Sequence, residues 1–200
     1  MVQIDYYISL NSPWTFLAGA RFHELVKAHG ASVTTKPAKF ADVFAATGGL
    51  PLQKRSAARQ AYRMQELKRW RKELDVPMLL EPENFPSDET PGARLVIAAE
   101  LAGLDAVRLA YEIGHELWVR DHAIAEESVL KTAVTRAGID YDDLTSNSPE
   151  DATLVEIWDQ NTQDAIEAGV FGAPSFVFED GEVLWGQDRL QFVEGRLAAS

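Results

Sequence analysis

The 200-residue chain contains no cysteine, so it can form no disulfide and offers no thiolate of its own; any sulfur chemistry must be borrowed from a ligand. Long apolar runs are also missing. None approaches the roughly 18 residues that a membrane-crossing helix needs, and Met1-Val2-Gln3-Ile4-Asp5 has neither a basic start nor an apolar signal core. The expectation is a cytoplasmic chain with no membrane partner. Positive charge is scarce: 19 Lys and Arg face 31 Asp and Glu, for a net charge of −12, which argues against nucleic acid as the principal partner. Histidine is rare too, at 4 residues. His115 and His122 lie near Asp121 and Glu126, but His115-Glu116 is followed by Leu117-Trp118-Val119, so the His-Glu-x-x-His zinc spacing is absent and no metal is expected. The chain has no Gly-x-Ser-x-Gly and no histidine in an obvious base position, which sets a serine hydrolase aside.

What is present suits a soluble protein with a full core, as one domain or one domain with a large insert: 46% of residues are hydrophobic and 25% charged. The informative stretch is Ser12-Pro13-Trp14-Thr15. Before it, Val2 to Leu10 reads as a strand; after it, Phe16, Leu17, Phe22, Leu25 and Val26 give the apolar stripe of a helix from about Trp14 to His29. Ser12 is a good N-cap, and Pro13 suits the first helical turn, where its missing N–H is not needed. The serine hydroxyl then sits at the positive end of a helix, which stabilises an anion held against it. Gly30 ends the helix, and Ser32 to Lys36 forms a second strand stopped by Pro37, giving a βαβ beginning.

From about Lys39 to Asn161 strand signals vanish. Helices are expected near Ala38–Thr47, Arg55–Leu74, Glu89–Ala102, Ala106–Arg120, Glu126–Ala137 and Pro149–Ala168, with breaks at Gly48-Gly49-Leu50-Pro51, from Pro77 to Pro86, at Gly103 and at Gly138. The chain returns to strand at Gly172 to Glu179 and at Glu182 to Trp185. Asp180-Gly181 between these runs is a hairpin signal, and a last helix runs from Asp188 to about Ala199.

The order βαβ, helical insert, ββα is that of an α/β thioredoxin-like fold, with the insertion where DsbA-type disulfide oxidoreductases carry theirs. The predicted division is residues 1–38 and 162–200 as the thioredoxin-like domain and 39–161 as the inserted helical domain. Ser12 and Thr15 then stand where a redox site would have Cys-x-x-Cys. Pro174 falls where that fold places a cis-proline beside the first helix, and the Ala173–Pro174 bond is expected to be cis, because cis bonds cost little at X-Pro.

Along nearly its whole length the chain resembles the 2-hydroxychromene-2-carboxylate isomerases and, with them, the kappa-class glutathione transferases. The matching pieces are Tyr7 to Pro13, Tyr62 to Trp70 (Tyr-x4-Leu-x-Arg-Trp), Gly169-Val170-Phe171-Gly172-Ala173-Pro174 and Trp185-Gly186-Gln187-Asp188-Arg189. The resemblance implies a glutathione site: Ser12 donating to the sulfur, Ala173 before Pro174 pairing with the cysteinyl backbone, Asp188 holding the γ-glutamyl amine and Gln187 at a neighbouring contact position. It also implies a small aromatic carboxylate as substrate and a homodimer. A thiol beside a hydroxyl donor at a helix N-terminus has a lowered pKa, which agrees with that assignment.

The chain departs from the family pattern at three places. Ser9 stands where an aspartate is usual, Gly49 for an asparagine, and Arg59 for a lysine, keeping the charge but not the shape. Arg59 belongs to a basic run from Lys54 to Lys72 in which Arg55, Arg59 and Arg63 recur at a spacing of four and share a face. A solvated helix face explains most such runs; the functional reading is a funnel for anionic glutathione or an aromatic carboxylate. Two function classes follow: a glutathione-dependent isomerase, with a kappa-like transferase or peroxidase as its variant, or a thioredoxin-fold binding module without chemistry.

Overall fold

In a computed structural model, which describes residues 2–199, strand β1 (Gln3–Ile8) is central to a four-stranded sheet of order β2-β1-β3-β4. Its alternation explains its position. Ile4, Tyr6 and Ile8 enter the main core, where Tyr6 stacks on Phe176 at 5.2 Å between ring centroids and lies 4.5 Å from Phe22. Tyr7 points the other way, into a second cluster with Phe40, Val43, Ala165 and Val170. A strand buried on both faces belongs in the middle of a sheet. Helix α1 (Pro13–His29) carries the chain back to β2 (Ser32–Pro37), which pairs parallel to β1 with Gln3 opposite Ser32.

Helices α2 (Phe40–Thr47), α3 (Ala57–Glu73), α4 (Thr90–Leu101), α5 (Ala106–Trp118), α6 (Glu127–Arg136), α7 (Tyr141–Ser146) and α8 (Asp151–Glu167) follow. Six of these match the expected helices within a few residues. The short α7 was not foreseen, being 6 residues, under two turns, with the Asp140 side chain accepting the Asp143 N–H at 2.9 Å. Helix α3 begins later than expected: Ser56 caps it, and Arg55 lies before it. The chain closes with β3 (Ser175–Phe178), antiparallel to β1, then β4 (Val183–Trp185) and α9 (Leu190–Ala198), which is entered by a 3-10 turn at Gln187–Arg189. The main core joins Ile4, Phe22 and Phe176 to Val96, Leu109, Ile113 and Trp118 of the helical stretch in one continuous cluster. Among the described residues, no helix is long and apolar enough to cross a membrane.

The histidines and acids that the sequence groups near residue 120 are tied into this packing. Glu116, 1% exposed, lies 2.8 Å from His122 Nδ1, while the Asp121 carboxylate accepts the N–H groups of Glu83 and Asn84 at 3.0 and 2.9 Å. The first contact folds the segment after α5 back onto that helix, and the second anchors the loop between α3 and α4 against that segment.

Helices α1 and α5 cross at Gly19, where a Cβ would meet Tyr111 Cδ2 at 2.9 Å and Tyr111 Cβ at 3.0 Å. The second atom is fixed by backbone and cannot swing away. Gly19→Ala gains about 1 kcal/mol of helix propensity but costs about 1–3 kcal/mol of overpacking. A lower urea midpoint is therefore expected; an unchanged or raised midpoint would show slack at this crossing.

Candidate active site

The site is assembled where β1 ends. The Ser12 N–H donates to Ser9 O at 3.0 Å, closing a turn that sets Ser12 at φ −79°, ψ 119°, the extended geometry of an N-cap. Ser12 Oγ accepts from the Thr15 N–H at 3.2 Å and donates to Ala173 O at 3.2 Å. These groups meet because Tyr7 of β1 pairs with Ser175 of β3, so the turn leaving β1 lies beside the loop entering β3. The Ala173–Pro174 peptide is cis, as expected.

Pro174 O in turn accepts the Gly186 N–H at 2.9 Å, hanging the Trp185–Arg189 segment on the same corner. Here the two residues carried over from the family motif diverge. Gln187 is buried, with its side chain and its carbonyl both accepting from the Arg21 guanidinium. Asp188 is exposed and pairs with Arg189 at 3.0 Å. Its charge also reaches Arg21, where it opposes the lowering of that guanidinium's pKa by burial.

Two cavities adjoin this corner. One, of about 520 Å³, runs between α3 and the Trp185–Arg189 segment and includes Asp188. The other, of about 620 Å³, contains Ser12 and is walled by Phe40, Phe44, Phe85 and Phe171. Both sizes suit small ligands. Trp14, Ala173, Trp185, Arg55, Arg59 and Arg63 line both cavities, so the expected funnel residues form their common wall.

Among the described residues none of the three arginines has a carboxylate within ion-pair distance. Arg55 donates to Leu50 O at 2.8 Å and lies over the Phe44 ring, while Arg63 lies over the Phe85 ring at 5.8 Å. Burial, and then the charge of Arg55, pull the Arg63 pKa down to about 10. Burial followed by the charge of Arg59 lowers Arg55 as well. Cations that depress one another in a cavity wall are stabilised by an incoming anion.

The departures from the family pattern also acquire local causes. A Cβ at Gly49 would meet Phe44 Cδ1 at 2.7 Å, so the small residue makes room for an aromatic one in the cavity wall. Ser9 donates its hydroxyl to Glu89 Oε2 at 2.8 Å, and the Asn11 N–H reaches the same oxygen at 3.0 Å. Glu89 thus brings a carboxyl into the Ser12 cavity. Sequence reasoning missed it because Glu89 precedes a helix and reads as an ordinary capping acid.

A family profile described as a DSBA-like thioredoxin domain matches residues 3–198. The chain belongs to that family. Among curated proteins this DSBA-like chain is similar to the 2-hydroxychromene-2-carboxylate isomerase of Sphingobium xenophagum, at 28% identity over 195 residues and 97% of each chain. Among solved structures it is similar to a 2-hydroxychromene-2-carboxylate isomerase, with TM-score 0.76 and 25% identity over 98% of this chain and 95% of the other. The cytosolic disulfide reductase DsbM of Pseudomonas aeruginosa, solved with GSH, shares the fold at TM-score 0.68 and 20% identity over 98% and 99% of the two chains.

In this DSBA-like site the unpaired Arg63 has a measurable consequence. Removing a desolvated charge that lacks a partner does not leave an uncompensated one behind. Arg63→Met is expected to stay within about 1 kcal/mol of the parent stability or to exceed it, since only a contact of cation–π strength with Phe85 is lost. Thermal unfolding checks this, and a loss above about 2 kcal/mol would mark Arg63 as a structural group instead.

Proposed function

We propose that the protein is a glutathione-dependent isomerase, converting 2-hydroxychromene-2-carboxylate or a related aromatic hydroxychromene carboxylate to the trans-o-hydroxybenzylidenepyruvate type of product. The observation that carries this reading is the Ser12 hydroxyl, held at the N-terminus of α1 against the Ala173 carbonyl in a chain without cysteine. DSBA-like relatives that exchange disulfides need a protein thiol, and this chain has none. The similarity to named isomerases and a glutathione-bearing relative of the same fold support the same conclusion.

The residues present fit glutathione, a zwitterion with an ammonium at one end. The smaller cavity carries the Asp188 carboxylate and, on α3 and just before it, three arginines without carboxylate partners. Asp188 would take the γ-glutamyl ammonium in exchange for part of its pairing with Arg189, and the backbone of Ala173 would take the cysteinyl amide. Gln187, with its side chain turned onto Arg21, would act by fixing the backbone beside Asp188. When bound, glutathione supplies a thiolate that adds reversibly to a conjugated carbon and frees the adjacent double bond to rotate.

The protein's own part is position and electrostatics. Ser12 keeps its cap on Thr15 and turns its O–H from Ala173 O to the sulfur, which costs little because the hydroxyl proton rotates freely. The positive end of α1, with no acidic residue in its first turn, adds to the stabilisation of an anion there. Arg59 or a neighbouring arginine holds the substrate carboxylate, and the phenylalanine-lined cavity takes the aromatic ring. The compartment proposed is the cytoplasm, where the glutathione pool is kept reduced.

The direct test follows the absorbance of the conjugated product. Purified protein is expected to interconvert 2-hydroxychromene-2-carboxylate and trans-o-hydroxybenzylidenepyruvate only when reduced glutathione is added. Equal rates with and without it would refute thiol-dependent isomerisation, and no rate in either case would leave the transferase or binding-module alternative.

A further inference from the structure

Glu89 occupies the N-cap position of α4 but makes no cap to its own helix; the neighbouring Asp88 accepts the Thr90 N–H instead, at 2.9 Å. Its carboxyl turns towards the β1–α1 corner, where Ser9 Oγ and the Asn11 N–H donate to Oε2 and the Leu10 N–H adds a further donor. These contacts brace the turn that presents Ser12. They do not use up the group, because a carboxylate has about four acceptor positions and three are engaged. Glu89 is half-buried as a residue and lines the Ser12 cavity, together with a neighbouring one between α2 and α8. Burial raises its pKa despite the opposing donors. No lysine or arginine neutralises it among the described residues. Arg63 lines the same cavity and forms no ion pair with Glu89.

A cavity lined by unpaired cations, an unneutralised carboxyl and several phenylalanines offers both charged and apolar walls. The ligand that complements it carries an anion, a flat ring and a hydrogen-bond donor. We propose that Glu89 recognises a hydroxyl group of the aromatic ligand while the arginines of the common wall take its carboxylate, so that the two together fix the ligand's orientation. This deepens the isomerase reading and rests on it for the identity of the ligand. In that reaction the hydroxyl concerned is the phenol of the ring-opened product, ortho to the carboxylate-bearing side chain; Glu89 accepts its hydrogen bond and no proton is transferred.

The test needs neither glutathione nor turnover. Trp14 and Trp185 line the cavity, so their fluorescence can follow titration with trans-2-hydroxycinnamate and with trans-cinnamate, which differ by a single hydroxyl. The parent protein is expected to bind the hydroxylated probe about tenfold more tightly, the scale of one hydrogen bond to a charged group. Glu89→Gln, whose carbonyl oxygen can still brace Ser9 and Asn11, is expected to reduce that preference to about two- or threefold, as a neutral acceptor would. Glu89→Ala should abolish it. In both variants the affinity for unsubstituted cinnamate should hold within about twofold, since the arginine wall is intact. A parent ratio near one, or a ratio that survives in Glu89→Ala, overturns the proposal. So does equal loss of both probes in both variants, which would make Glu89 a brace for the turn and nothing more. Failure of the isomerase reading is separate: it appears as absent turnover in the parent and leaves these binding ratios unaffected.

Discussion

The pairing of β1 with β3 constrains everything functional in this chain. Ile4, Tyr6 and Tyr7 of β1 pair with Phe178, Phe176 and Ser175, and this antiparallel register brings the chain leaving one strand beside the chain entering the other. One side contributes the positive end of a helix and a hydroxyl. The other contributes the carbonyl of Ala173, and its neighbour Pro174 anchors Gly186 and thereby the segment that carries Asp188. The buried faces of Tyr6 and Phe176, stacked within the core, hold the two strands to that register. The cavities are thus consequences of sheet geometry, with loops and α3 closing over a corner that the strands have already made.

Charge is distributed in a way that the net value hides. Over the whole chain acids outnumber bases, yet the common wall of the cavities holds three arginines with no carboxylate partner. Elsewhere buried charge is compensated: Glu112, 1% exposed, is met by Arg136 Nε at 2.8 Å and by Arg108 as well. Pairing Glu112 while leaving arginines unpaired in a cavity wall is an arrangement that an anionic ligand would complement. Asp188 lines one of the two cavities and Glu89 the other, and in the proposed reading they give that ligand a direction.

Much of the fold was legible because its signals are local. Ser12-Pro13 marks a helix start, Asp180-Gly181 a hairpin, and Pro37 the end of a strand, each through backbone geometry that a few residues settle among themselves. The boundaries that slipped are those decided by tertiary contacts or a competing cap. Ser56 starts α3 one residue after Arg55, the last helix is entered by a 3-10 turn, and α7 is too short for periodicity to register. At the site, Ser12, Ala173 and Pro174 could be named because they sit within recognisable motifs. Glu89 could not, since its partners Ser9 and Asn11 lie about 80 residues earlier. Nor could the pairing of Gly49 with Phe44: only the close approach of the ring shows that the missing side chain makes space for another. Gln187 was foreseen as a contact, but the side chain it meets is Arg21 of α1, far away in sequence.

The central claim is that the Ser12 hydroxyl, at the end of α1, stabilises a ligand thiolate that the chain cannot supply itself. Ultraviolet titration of the thiol of bound glutathione addresses it directly, by comparing the parent with Ser12→Ala. Loss of one preorganised donor is worth on the order of 2–4 kcal/mol where it acts on the transition state, and the thiol pKa of the bound ligand should rise measurably in the variant. A thiol pKa that is the same in both proteins would contradict the account.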